Sequence, residues 1–169
     1  MTKTPATDAF WQAYRQAAGL DHDRYDIVAF GDSAAMSDEL AELVLAGIKR
    51  ATAGLLRDFV EGKEPLPRVG EHVVMIDGNR RPRGIWRTTE VTIKPLIEVD
   101  EAFAWDEGEG DRTRDWWLSD HRKYFTRQAA RQGFAFCDRI ETVFERFTLV
   151  WIALKRRGFC RLGRAKTCP

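Results

Sequence analysis

Ser37-Asp38-Glu39-Leu40-Ala41-Glu42-Leu43-Val44-Leu45-Ala46-Gly47-Ile48-Lys49-Arg50-Ala51-Thr52 is the stretch on which the reading of this chain turns. Leu40, Leu43, Val44 and Ile48 recur at i, i+3, i+4 and i+8, the spacing of one apolar helix face. Ser37 with Asp38 and Glu39 opens that helix, placing acids at the positive end of its dipole. Gly47 leaves a gap in the apolar face, and the segment then turns basic and hydroxyl-bearing at Lys49-Arg50-Ala51-Thr52. A further helical stretch is expected from Thr52 to about Val60, so Lys49 and Thr52 would share one helical face.

Working outward, Asp8–Ala18 reads as a helix with Thr7 as N-cap, Gly19 just past its end, and Phe10, Tyr14 and Ala17 as its stripe. Asp26–Phe30 is a short strand ahead of a turn at Gly31-Asp32-Ser33. On the other side, Pro65 and Pro67 mark a loop. Glu71–Ile76 and Gly84–Ile93 are rich in Val, Ile, Trp and Thr, and Asp77-Gly78-Asn79 between them signals a hairpin. Val99–Trp105 reads as a short helix, Glu107–Asp111 as a loop, Arg114–Arg131 as a longer helix and Arg139–Leu154 as strand. Strands and helices interleave, but the hairpin favours an antiparallel or mixed sheet, so the class expected is α+β.

The chain has 169 residues, 44% of them hydrophobic and 31% charged, which fits one folded domain and excludes disorder as the main state. The net charge of +1 hides an asymmetry. Lys155, Arg156, Arg157, Arg161, Arg164 and Lys166 follow residue 154 with no acid among them; taking these six charges from +1 leaves −5 on residues 1–154. A globally basic nucleic-acid binder is therefore excluded, and any such contact must be local. The uncharged run Phe147–Leu154 is too short to span a bilayer, and MTKTPATDAF lacks the apolar core of a secretory leader. Three cysteines without a C-x-x-C fit a reducing cytoplasm, which is the expected location. The expected organisation is an N-terminal helical extension over 1–24, a domain over 25–154 and a basic tail over 155–169.

Ile27-Val28-Ala29-Phe30-Gly31-Asp32-Ser33 is similar to the nucleophile block of GDSL-type serine esterases. A serine nucleophile needs a base within reach, itself oriented by a third group. That family supplies both from a late Asp-x-x-His, whereas the residue three before His121 is Leu118, and no Gly-x-Asn-Asp block follows. The esterase is the remote alternative, and a plain turn is the simpler reading.

A larger set of motifs points elsewhere. The leucine-rich helix ending in Gly47-x-Lys49-x-x-Thr52 is followed by Pro67-x-x-Gly70, Asp77, and Ile85-x-x-Thr88-Thr89-Glu90-Val91. Ala104-x-x-Glu107-Gly108-Glu109-Gly110-Asp111, then Trp116 with His121 and Phe125, and finally Val143-x-Glu145-x-Phe147-x-Leu149-Val150 complete it. In this order they resemble the ASCH domain family, in its longer bacterial form, over about residues 25–151. The resemblance implies a PUA-like fold, a small mixed or antiparallel β-barrel flanked by helices, whose relatives bind RNA. It implies a cleft holding the Gly-x-Lys-x-x-Thr segment. A short branch of the family removes the acetyl group of N4-acetylcytidine with a lysine, a threonine and a glutamate, which here match Lys49, Thr52 and Glu107. A longer branch is described as a ribonuclease.

The chemistry the resemblance implies for those residues is amide hydrolysis. Thr52 would be the nucleophile, Lys49 its base if burial lowered its pKa, and Glu107 the acid or the group orienting the lysine. Gly47, Arg50, Gly108, Arg87 and Thr88 are candidate ligand-binding residues, and Gly108 with Gly110 would let backbone approach a ligand closely. Plainer roles stand beside these: Lys49 complementing a helix dipole, Thr52 capping the next helix, and Glu107 as a solvated charge. The expected ligand is RNA or a modified nucleoside, with phosphodiester cleavage or RNA binding without catalysis as alternatives. Arg81, Arg83 and Arg87 would share a strand face able to track phosphates, and Arg122, Lys123, Arg127 and Arg131 would form a second basic surface. Trp105, Trp116 and Trp117 surround the acidic loop and could stack a base, although Trp116 reads better as core. His22, His72 and His121 have no metal-ligand spacing, so neither metal nor cofactor is called for. His121 reads as a structural hydrogen-bonding group, and nothing signals an oligomeric state.

Overall fold

Local signals set the first half of the chain in the computed structural model, which describes residues 1–61 and 65–153. Helix α1 (Pro5–Ala18) is capped by Thr4, not Thr7; Thr7 is its third residue and closes a reciprocal capping box, with Pro5 preset at the first position. Strand β1 (Asp26–Val28) is shorter than expected. Ser33 caps helix α2 (Ala34–Leu45), which therefore starts one turn before Ser37. Gly47, at φ 72°, turns the chain out of α2.

The stretch expected to be helical from Thr52 is instead strand β2 (Ala51–Leu55) followed by the single turn α3 (Leu56–Val60). Thr52 is thus neither an N-cap nor a helical neighbour of Lys49. Strand β3 (His72–Ile76) and strand β4 (Pro82–Pro95) form the expected hairpin, and the Asp77 carboxylate accepts from the Asn79 and Arg81 amides inside the turn. A 3-10 turn (Leu96–Glu98) leads to helix α4 (Glu101–Glu107), capped by Asp100. Glu107 is the last residue of that helix, not part of the loop after it. Helix α5 (Arg114–Gln132) and strand β5 (Glu141–Ile152) follow. The basic tail over 155–169 lies outside the described residues.

The five strands make one curled, mixed sheet in the order β1-β3-β4-β5-β2, a half-barrel of the α+β class. Only β1 against β3 is parallel; β3–β4, β4–β5 and β5–β2 are antiparallel. Side chains alternate across the sheet. Val74 and Ile85 meet Trp11 and Tyr14 of α1, while Val73, Trp86 and Phe147 meet Ala41 and Val44 of α2. A third cluster packs Phe103 of α4 and Trp117 and Phe125 of α5 on Phe144, Ala51 and Leu55. A concave surface opens between β1, β2 and β5, with α3 and Tyr124 of α5 at its rim. No helix among the described residues is long and apolar enough to cross a membrane.

Candidate functional site

Lys49 follows the turn that ends α2, and its amide bonds the Leu43 carbonyl at 3.1 Å. A lysine placed there would ordinarily reach solvent, yet Lys49 is 1% exposed and Glu107 2%. Lys49 Nζ donates to Glu107 Oε1 at 3.2 Å and to Glu109 Oε1 at 2.6 Å. Glu107 also accepts from the Ala53 amide of β2 at 3.2 Å and, through a short bond, from Trp117 Nε1. His121 Nε2 lies 3.4 Å from Glu107 Oε2, its ring stacked on Trp117. His121 Nδ1 is 3.0 Å from the Trp117 carbonyl; since a carbonyl only accepts, Nδ1 carries a proton.

Burial works against every charge in this cluster, and the mutual attraction of the charges outweighs it. Burial alone would strip the Lys49 ammonium of its proton, but Glu107 and Glu109 hold its pKa above the ordinary lysine value. Burial would raise Glu107, but Lys49 and His121 pull it below the ordinary carboxylate value. Burial would lower His121, and Glu107 raises it. Lys49 is thus an ammonium in the folded protein, locked between two carboxylates.

These groups line a chamber of about 80 Å³ closed by Phe30, Met36 and Leu40. Beside it lies a cavity of about 310 Å³. Phe30, Gly31, Thr52, Ala53 and Tyr124 line both, so they form the partition. The Thr52 hydroxyl makes no hydrogen bond to another side chain among the described residues. Asp26, Asp58, Glu71 and Glu145 line the larger cavity together with Met1, and among the described residues no Lys or Arg side chain does. Glu145 is buried; it accepts from Trp86 Nε1 at 3.1 Å and from the Thr88 hydroxyl at 2.7 Å, both on Oε1. Burial pushes its carboxyl above the ordinary value; those two bonds offset part of the rise, and Asp26 and Glu71 add to it.

The fold brings Lys49, Glu107 and Thr52 together, with Thr88 behind Glu145. It does not bring in the rest. Gly47 is exposed and serves to end α2. Arg50 pairs with Asp106 at 2.7 Å, outside both spaces. Arg87 is exposed and lies on the α1 side of the sheet, near Gly70 and His72. Gly108, at φ 74°, is needed for the wall: a Cβ there would sit 2.6 Å from the Ile48 carbonyl oxygen. Ser33 uses its hydroxyl to cap α2, and His121 is committed to Glu107 and Trp117, so the esterase constellation is not assembled. Arg83 pairs with Glu42, Arg122 with Asp138, and Arg127 and Arg131 with Asp32, which neutralises much of both expected basic surfaces. Of the three tryptophans near the acidic loop, Trp117 is core, Trp116 half-buried, and Trp105 is 54% exposed with the Arg112 guanidinium over its ring. Among the described residues no group of three or more His, Cys, Asp or Glu is placed to hold a metal ion.

Sequence reasoning did not single out Glu109 or Glu145 as functional, read His121 as a structural hydrogen-bonding group, and offered Trp117 only for base stacking. One signal was available for two of them: Trp117 and His121 are four apart on α5, which stacks them on one helix face.

The ASCH domain model matches residues 26–151, and the chain belongs to the ASCH domain family. The ASCH domain of Lactobacillus crispatus JV V101, known from a crystal structure, superposes with a TM-score of 0.81 at 26% identity, covering 89% of this chain and 98% of that one. Protein EF3133 from Enterococcus faecalis V583 superposes with a TM-score of 0.79 at 34% identity, covering 85% of this chain and 87% of that one. No curated protein matches the sequence.

Proposed function

We propose that this ASCH-domain protein binds a single nucleoside in the concave cavity and hydrolyses an exocyclic amide on its base, of the N4-acylcytidine type. One observation carries the reading. Thr52, with a free hydroxyl, forms the wall between a cavity of about 310 Å³, large enough for one nucleoside, and the chamber holding Lys49. In the described lining four carboxyls stand against no Lys or Arg side chain and only the Met1 ammonium, a balance that disfavours a phosphodiester chain and sets this reading above RNA cleavage or RNA binding.

In this reading Thr52 Oγ1 attacks the acyl carbon. The Oγ1–C bond forms, the C–N bond breaks, and the hydroxyl proton ends on the departing exocyclic nitrogen. Water then hydrolyses the acyl-threonine, releasing the acid and restoring the hydroxyl. Lys49 keeps its proton, so its task is to stabilise the developing oxyanion by charge, in place of the base role expected from the sequence. Glu107 fixes the ammonium in place. Purified protein is expected to convert N4-acetylcytidine to cytidine, followed by chromatography. T52V, which keeps the strand and removes the hydroxyl, is expected to bind with similar affinity and lose activity by roughly a thousandfold. No conversion by folded wild-type protein, or full activity in T52V, would refute the reading.

A further inference from the structure

The ladder between β2 and β5 sets Thr52 directly opposite Glu145. Directly opposed residues of an antiparallel pair put their Cβ atoms about 4.5–5.5 Å apart on one face of the sheet. Glu145 is therefore the carboxyl set directly across the ladder from Thr52, whereas Glu107, the acid of the sequence motif, reaches the same strand at the Ala53 amide. Both bonds that fix Glu145 fall on Oε1, from Trp86 Nε1 at 3.1 Å and the Thr88 hydroxyl at 2.7 Å. Two donors fill the two lone pairs of that oxygen. Any proton on this carboxyl must then sit on Oε2, the atom left to the cavity. No Lys, Arg or His pairs with Glu145 among the described residues, and Asp26 and Glu71 line the same space. Burial and those two acids favour the neutral acid over the carboxylate.

We infer that Glu145 selects the base bound in this cavity, offering Oε2–H to a ring-nitrogen acceptor and so placing the adjacent exocyclic group over Thr52; the inference rests on the nucleoside reading above. The bases that fit are 4-aminopyrimidines and their N-acyl derivatives, whose ring nitrogen beside the exocyclic nitrogen is an acceptor. A uracil-type base presents an N–H donor at that position, which meets the Oε2–H head on. Glu145 is in this sense a specificity-determining residue, held rigid by Trp86 and Thr88 and distinct from the residues that carry out the chemistry.

Titration of the full-length protein with cytidine and with uridine, by calorimetry, tests this directly. Wild-type protein is expected to prefer cytidine by about tenfold or more, the worth of one buried hydrogen bond set against an unsatisfied pair. E145Q reproduces the neutral acid permanently: its carbonyl serves Trp86 and Thr88 and its amide N–H faces the base. It is expected to hold cytidine within about threefold of wild type and to retain the preference. E145A is expected to lose the preference. Should E145A fail to fold, the comparison of wild type with E145Q decides. Equal binding of both nucleosides by wild type, or loss of cytidine binding in folded E145Q, overturns the role of Glu145 and leaves the nucleoside reading standing. Binding of neither nucleoside by wild type refutes both together.

Discussion

Glu107 and Glu145 are two buried carboxyls on either side of one threonine, and the fold treats them in opposite ways. Glu107 meets the Lys49 ammonium, the His121 ring and two N–H donors, spread over both oxygens, and burial is overcome. Glu145 meets one indole N–H and one hydroxyl, both on one oxygen, with acids for neighbours, and burial prevails. Burial alone thus does not set the charge of an acid; the charge of the groups brought to it does. The result is a site with a fixed ion cluster at one end and, at the other, a carboxyl bonded only by neutral donors on one of its oxygens.

The comparison breaks most visibly through Glu107. E107Q removes the carboxylate that faces both Lys49 and His121, leaving Lys49 with Glu109 alone, and is expected to destabilise the protein by about 3 kcal/mol, read by chemical denaturation. The sign with pH follows. The folded pKa of Glu107 lies below its ordinary value of 4.5, so its contribution is present above that pH and fades as pH falls through the folded value. The gap between wild type and E107Q therefore narrows in acid. A cost below about 1 kcal/mol at neutral pH would show that the cluster is solvated after all.

A smaller effect comes from the backbone that closes the ion cluster. G108A combines a left-handed φ of 74° with a Cβ placed 2.6 Å from the Ile48 carbonyl oxygen, a contact that backbone cannot relieve cheaply. A loss of about 2–3 kcal/mol is expected. G47A shares the positive φ but meets nothing within 4 Å, so about 1 kcal/mol is expected there. Equal costs would mean that the approach of Gly108 to Ile48 is dispensable. The smallest effect has the opposite sign. The folded pKa of Glu145 lies above 4.5, so wild type loses stability as pH rises through that range, a penalty that E145Q lacks. E145Q is expected to be slightly more stable than wild type at neutral pH, with the difference closing in acid. Destabilisation on the scale of E107Q would erase the contrast between the two acids.

Much of this was legible in the sequence, and the misses have physical causes. The hairpin signal at Asp77-Gly78-Asn79 and the periodicities of α1, α2 and α5 are local, so they survive without tertiary information. β2 is not local. Ala51-Thr52-Ala53-Gly54-Leu55 has little strand propensity and becomes a strand because Val143 and Phe144 of β5 supply its partners. Lys49, Thr52 and Glu107 stood out through the family motif, while their charge states depended on Glu109 and His121, which only the fold brings near. Glu145 was part of a quoted motif yet read as one position in a strand. Its opposition to Thr52 exists only once the register of β2 on β5 is set.

That register also has a kinetic meaning. The β3–β4 hairpin closes over a short turn, and β5 can add to β4 as a second antiparallel partner. β2 precedes both in the chain but pairs only with the far edge, so its closure spans most of the domain and carries the larger entropic cost. The pairing that sets Thr52 against Glu145 is then expected among the last to form, and the earliest contacts to be lost on opening. A ligand held across that pair would slow unfolding more than it speeds folding.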